Sequence, residues 1–137
     1  MIMDCIFCKI ISKEIPANIL KETSRSISFL DAFPLAKGHV LVIPKNHHHK
    51  IQDMSIEENT DLFSLVHLMI SKVDLITGST LVAVHNGADA GQEIPHVHVH
   101  LVPRSKDDSA GAIHSMFNSS LKLSEPEIHD LYDKLKV

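Results

Sequence analysis

Polar and apolar residues change rhythm several times along this chain, and each rhythm predicts an element. The sharpest is His96-Val97-His98-Val99-His100, running on into Leu101-Val102-Pro103-Arg104. Strict alternation among good strand formers predicts a half-buried strand. Side chains on a strand alternate between faces, so His96, His98 and His100 share one face and Val97, Val99 and Leu101 the other. The apolar face can enter a core. The other presents three imidazoles about 6.6 Å apart, at ~3.3 Å per residue.

The remaining rhythms supply the rest of a fold. Residues 5–11 are short and apolar, enough for one or two helical turns, and Glu14-Ile15-Pro16-Ala17 breaks them. Strands are predicted over 19–22, 26–31 and 39–44, the last a continuous apolar run stopped by Pro44. Lys45 and the cluster His47-His48-His49 follow in a loop, with His48 and His49 expected on the surface. Ser55-Ile56-Glu57-Glu58 has the S-x-x-E form of a capping box and opens the longest helix. Leu62, Val66, Met69 and Val73 recur at helical spacing, with Leu65, Leu68 and Ile76 beside them, and Gly78 ends the helix. A strand over 80–84 leads into a turn-rich loop, His85 to Gln92, that delivers the chain to the histidine stretch. Residues 107–120 read as irregular. Ser124 then caps a final helix reaching Leu135, with Pro126 in its first turn. The pattern predicts one α+β domain over 1–137. Its sheet is mainly antiparallel, of about five strands, with one long and two shorter helices. The core spans about 4–105, and 106–137 form a tail ending in a helix.

Composition narrows the chemistry. The 137 residues suit one domain with a proper core. Thirteen Lys and Arg against 17 Asp and Glu give a charge of -4, which argues against general nucleic-acid binding. No apolar run approaches the ~20 residues that span a bilayer. The start Met1-Ile2-Met3-Asp4-Cys5 lacks the basic residues and apolar run of a signal peptide, so a cytoplasmic protein is expected. Cys5 and Cys8 are the only cysteines, and C-x-x-C in a reducing compartment suggests metal or redox work. Eleven histidines are many for this length, and six of them lie in the two clusters. From these residues alone the histidine face suits either a metal or a phosphoryl group, because neutral imidazole is the commonest metal ligand.

Four segments then carry a family resemblance, in matching order over about three quarters of the chain. They are Cys5 to Ile11 with Ile15-Pro16-Ala17; Phe29-Leu30-Asp31 through Gly38-His39-Val40-Leu41-Val42-Ile43-Pro44-Lys45; Ala90-Gly91-Gln92; and His96 to His100 with Pro103-Arg104. The sequence resembles the histidine-triad (HIT) nucleotide hydrolases and transferases, in particular the small prokaryotic branch with C-x-x-C. The resemblance implies a HIT-like fold and a homodimer whose two sheets join. It implies a purine nucleotide or dinucleotide substrate, cleaved at the α-phosphate of a phosphoramidate or dinucleoside polyphosphate through a nucleotidyl-histidine. His98, the middle member of the triad His96, His98 and His100, would be the nucleophile, His100 would hold phosphate oxygens, and His39, on the neighbouring strand, would lie against the triad. Asp31 would bind the ribose, and Ile6, Phe7, Ile10, Ile15 and Phe29 would form the base slot. His85, Asn86, Gly91 and Gln92 would surround the phosphate, with Gly91 letting backbone N–H groups approach it and Gln92 supporting the loop. Cys5, Cys8, His47 and His96 would hold a structural Zn2+.

The chain departs from its relatives on the leaving-group side. His85 stands where relatives usually have Asn or Gln, and Glu93 where many have Ser or Thr. Lys45 and Arg104 read as solvated charges. Other readings stay open: nucleotidyl transfer, a nucleotide-sensing or zinc-stabilised interaction module, and a metal-dependent hydrolase using the triad as ligands.

Overall fold

In the computed structural model of the chain, residues 4–108 and 122–137 are described. The element order is α1 (Ile6–Ile11), β1 (Ile19–Glu22), β2 (Ser26–Leu30), β3 (Val40–Pro44), α2 (Ile56–Thr77), β4 (Thr80–Ala83), β5 (Val99–Pro103) and α3 (Glu125–Leu135). The five strands form one sheet in the order β1-β2-β3-β5-β4, with every neighbouring pair antiparallel.

The central strand shows why the sheet is covered on both faces. Every residue of β3 is buried. Val40 and Val42 point toward α2, where they meet Leu62, Leu65, Val66, Met69 and Val73 together with Val97, Val99 and Leu101. Leu41 and Ile43 point the other way, joining Ile27 and Phe29 against Cys5, Phe7, Cys8 and Ile10. One layer is therefore the amphipathic face of α2, and the opposite layer is the N-terminal turn of α1. Of the apolar residues the spacing put beside the helix stripe, Leu65 is buried, whereas Leu68 and Ile76 stay exposed.

The capping box at Ser55 forms, and the Ser124 cap is a second one. The Ser55 hydroxyl accepts from the Glu58 N–H and the Glu58 carboxylate accepts from the Ser55 N–H; Ser124 and Glu127 repeat the exchange at α3. Gly78 ends α2 at φ 85°, a left-handed conformation that favours glycine.

The histidine stretch departs from its expected form. Its ladder begins only at Val99, so His96, Val97 and His98 lie before the strand. Their backbone bonds go elsewhere. The His96 N–H donates to the Ile94 carbonyl at 2.8 Å, and the Val97 N–H donates to the His48 carbonyl at 2.8 Å. The loop carrying the histidine cluster thus takes the place of a sheet neighbour. The alternation of side chains persists across this break, with the valines and Leu101 in the α2-facing core. Apart from Asp107 and Asp108, the irregular stretch expected over 107–120 lies outside the described residues. Among the described residues no helix is long and apolar enough to cross a membrane.

Candidate active site and metal centre

A cavity of about 380 Å³ opens on the face of the sheet that carries the histidines. Ile6, Phe7 and Ile10 of α1 and Phe29 of β2 make its apolar wall, and Asp31, His39, His85, His98 and His100 supply its polar groups. Gly91 and Glu93 also line it.

The hydrogen bonds assign the tautomers. Carbonyl oxygens only accept, so a ring nitrogen bonded to one must carry the proton. His98 Nδ1 donates to the His96 carbonyl at 2.7 Å, which leaves the lone pair on Nε2. The Leu35 N–H donates to His39 Nδ1 at 3.0 Å, so His39 carries its proton on Nε2 and donates it to His100 Nδ1 at 3.0 Å. His100 in its neutral form then holds its own proton on Nε2. A relay starting at one backbone amide therefore fixes one ring as a donor beside another ring with a lone pair. The two rings lie close, with His98 and His100 centroids 4.9 Å apart.

Burial sets the charge of this group. It pushes His98 and His39 below the ordinary histidine value, against the opposing pull of Asp31. Burial, reinforced by the neighbouring imidazoles, takes His100 down to about 4. The three rings are thus neutral near pH 7, the state in which an imidazole is a nucleophile or a hydrogen-bond donor without charge.

Asp31 lines the cavity from the turn after β2. Its Oδ1 accepts from the Phe33 N–H at 2.9 Å, as a turn residue does, while Oδ2 lies 3.5 Å from His39 Nε2 and the side chain faces the cavity. Across the cavity, His85 Nδ1 donates to the Ala90 carbonyl at 2.7 Å and its ring meets His100 edge-on at 5.7 Å.

The expected backbone cradle takes a different form. The N–H groups of Ala90, Gly91 and Gln92 donate to the carbonyls of Gly87 and Ala88, closing the turn on itself. What Gly91 visibly supplies is room. It sits at φ +99°, and a Cβ there would come 3.0 Å from His85 Nδ1. Gln92 supports the loop, accepting from the Gly87 N–H and donating to the carbonyls of His49 and Ile94. Asn86 turns away, accepting from the Ile51 N–H and donating to Gln52. Asn86, Gln92 and Ile15 are not among the lining residues; Ile15 packs against the α1-side core.

Three surface assignments also change. His48 is half-buried and donates from Nε2 to Glu58 at 2.9 Å. Lys45 pairs with Glu22 at 2.8 Å, and Arg104 makes a two-pronged pair with Asp108. Phe33 and Leu35 line the cavity without having been singled out. The signal available for them was an apolar pair inside a turn-rich loop.

Beside the cavity, Cys5, Cys8, His47 and His96 bring four ligand atoms within 4.8 Å of one another. His96 Nδ1 lies 3.4 Å from Cys5 Sγ, 3.7 Å from Cys8 Sγ and 3.2 Å from His47 Nδ1; Cys8 Sγ lies 3.4 Å from His47 Nδ1. A tetrahedron with metal–nitrogen bonds of about 2.05 Å and metal–sulfur bonds of about 2.3 Å has edges of roughly 3.3–3.8 Å, so the spacing fits. The tautomer fits as well. His96 donates from Nε2 to the Pro44 carbonyl at 2.9 Å, which directs its Nδ1 lone pair at the cysteines. Phe7 stands between the two groups, its ring centroid 5.7 Å from His96 and 5.1 Å from His98.

The HIT domain family matches residues 12–107, and the chain belongs to that family. Among curated relatives, it is 44% identical over 109 residues to adenosine 5'-monophosphoramidase HNT1 of Saccharomyces cerevisiae, a match covering 80% of this chain and 67% of the yeast protein. A second relative, 32% identical over 118 residues, is the asymmetrical bis(5'-nucleosyl)-tetraphosphatase of Schizosaccharomyces pombe, covering 85% of this chain and 64% of that protein. Of solved structures, the histidine triad nucleotide-binding protein of Candida albicans superposes with a TM-score of 0.81 at 34% identity, over 97% of this chain and 95% of that one. A zinc-bound histidine triad family protein of Mycobacterium smegmatis gives 0.70 at 32% identity, over 80% and 81%.

Proposed function

We propose that this protein is a nucleotide hydrolase that attacks the α-phosphorus of a nucleoside phosphoramidate or dinucleoside polyphosphate with His98. The observation that carries the reading is the unprotonated Nε2 of His98, held by the 2.7 Å bond from Nδ1 to the His96 carbonyl. Relatives named phosphoramidase and tetraphosphatase support the reaction class.

In the first displacement a P–N bond forms from His98 Nε2 while the bond to the leaving group breaks. The leaving group departs with the bonding pair. In the second, water supplies oxygen to phosphorus, loses a proton, and the pair returns to Nε2. Splitting one displacement into two is the gain from a covalent nucleophile. The Nε2–H of His100 stabilises charge developing on the phosphoryl oxygens, and His39 keeps that proton in place. Asp31 holds the ribose hydroxyls, and Phe7, Ile10 and Phe29 hold the base.

The four-residue group beside the cavity suits Zn2+ through Cys5, Cys8, His47 and His96. Four protein ligands leave no open position, so the ion would be structural and would pin the segment from His96 to His98. The sheet edge suits a homodimer: β4 is an edge strand with half-exposed Val82, and the same strand of a second copy would continue the ladder. Two cysteines serving a metal suit a cytoplasmic setting.

The test is release of nucleoside monophosphate from an adenosine 5'-phosphoramidate. Wild type turns the substrate over, and His98→Ala binds the nucleotide without turnover. Wild-type protein inactive on both phosphoramidate and dinucleoside polyphosphate would contradict the reading.

A further inference from the structure

We propose that Glu93 makes this site a charge filter on the leaving group, disfavouring polyphosphate chains and favouring amines that carry a second positive charge. The inference rests on the hydrolase reading above and names the substrate class within it.

The charges lining the cavity are of one sign. Asp31 and Glu93 are its carboxylates, its other ionisable groups are histidines, and among the described residues no lysine or arginine lines it. Lys45 pairs with Glu22 and Arg104 with Asp108. Lys50 packs beside the Gly87 position, outside the lining. A polyphosphate chain would bring several negative charges into a site with nothing permanent to neutralise them.

The two carboxylates are not equivalent. Asp31 is tied down by the Phe33 N–H and lies beside His39. Glu93 is exposed at the rim, on the segment that follows Gly91. Both line the same cavity as His98, so the reacting centre lies within the field of each. With the ribose at Asp31, the space beside His85, Gly91 and Glu93 remains for the departing group. An amine bearing a distant ammonium would meet there a carboxylate that has no ion pair among the described residues. The chemical step is unchanged: the Nε2–P bond forms, the P–N bond to the amine breaks, and the amine leaves with the bonding pair and one proton taken from solvent. Water then forms an O–P bond as the Nε2–P bond breaks with its pair returning to Nε2, and the proton that water loses goes back to solvent.

A unit charge a few ångströms from an exposed carboxylate gains about fivefold in water, and salt screens the gain. Three substrates test this: the adenosine 5'-phosphoramidates of pentylamine and of 1,5-diaminopentane, similar in shape but differing by one ammonium, and diadenosine tetraphosphate. Wild type should prefer the diamine substrate over the pentylamine one by about fivefold in kcat/KM. That ratio should fall to near one in Glu93→Gln and shrink in wild type at high KCl. Glu93→Gln should also raise the tetraphosphate relative to the pentylamine substrate. A diamine-to-pentylamine ratio near one in wild type, or one that neither the substitution nor salt changes, would overturn the proposal. The salt series needs wild-type protein only, so it decides even where the variant fails to fold. Wild type inactive on all three substrates would instead overturn the hydrolase reading, and the filter with it.

Discussion

Replacing Glu58 by glutamine should remove a large share of the protein's stability at neutral pH and little of it in acid. Glu58 is 6% exposed, at the N-terminus of α2. Its Oε1 accepts from the Ser55 N–H at 3.0 Å, and its Oε2 accepts from Asn46 Nδ2 at 3.1 Å and His48 Nε2 at 2.9 Å. Burial alone would raise this carboxyl. The bonds from Ser55, His48 and Asn46 outweigh it and hold the group at about 2. A carboxyl lowered on folding from about 4.5 to about 2 contributes about 3 kcal/mol above its unfolded value, and the contribution is lost as pH falls toward 2. About 1.4 kcal/mol of it remains at pH 3. Glutamine keeps one acceptor oxygen for Asn46 and His48 but turns its NH2 toward the Ser55 N–H, and it loses the charge, so the loss at pH 7 should be about 2–4 kcal/mol. The assay is urea unfolding of both proteins at pH 7 and pH 3, with the gap between them narrowing in acid. A loss below about 1 kcal/mol at pH 7, or a gap that does not change with pH, would refute the reasoning. Asn46 and His48 flank His47, so Glu58→Gln should loosen the metal group as well.

Metal analysis of protein purified without a histidine tag should find about one zinc per chain, from four ligands closing one tetrahedron. Cys8→Ser should lower the melting temperature before it alters chemistry at His98; a zinc-free wild type with the same melting temperature as zinc-loaded protein would remove the idea. Asp31→Asn should weaken nucleotide binding by on the order of 1–3 kcal/mol and reduce discrimination against the 2'-deoxy analogue. Undiminished discrimination would leave Asp31 only its turn bond to Phe33.

The elements with strong local signals were legible from the chain. Ser55 and Ser124 announced their helices because a capping box is a short-range exchange of hydrogen bonds. Residues 39–44 announced a central strand because both faces of β3 are covered. The alternating valines gave the core face correctly, since side-chain direction depends only on local backbone geometry. The extent of the ladder was not legible, because the partner of the Val97 N–H is the His48 carbonyl, which is distant in sequence. The same holds for His48, whose anchor is Glu58 on α2. The relay from Leu35 through His39 to His100 depends on a backbone amide, and nothing in residue identity marks it. Nor was it legible which amides the loop after His85 keeps for itself: the turn uses those of Ala90, Gly91 and Gln92.

The central claim is that His98 carries the nucleotide covalently between two displacements. The most direct measurement is intact mass after rapid, acid-free quenching of the protein with a slowly turned-over adenosine 5'-phosphoramidate. Wild type should gain one adenylyl group, and His98→Ala should gain none while still binding the nucleotide. An unmodified wild type at a time when product is accumulating, or a fully active His98→Ala protein, would contradict the account.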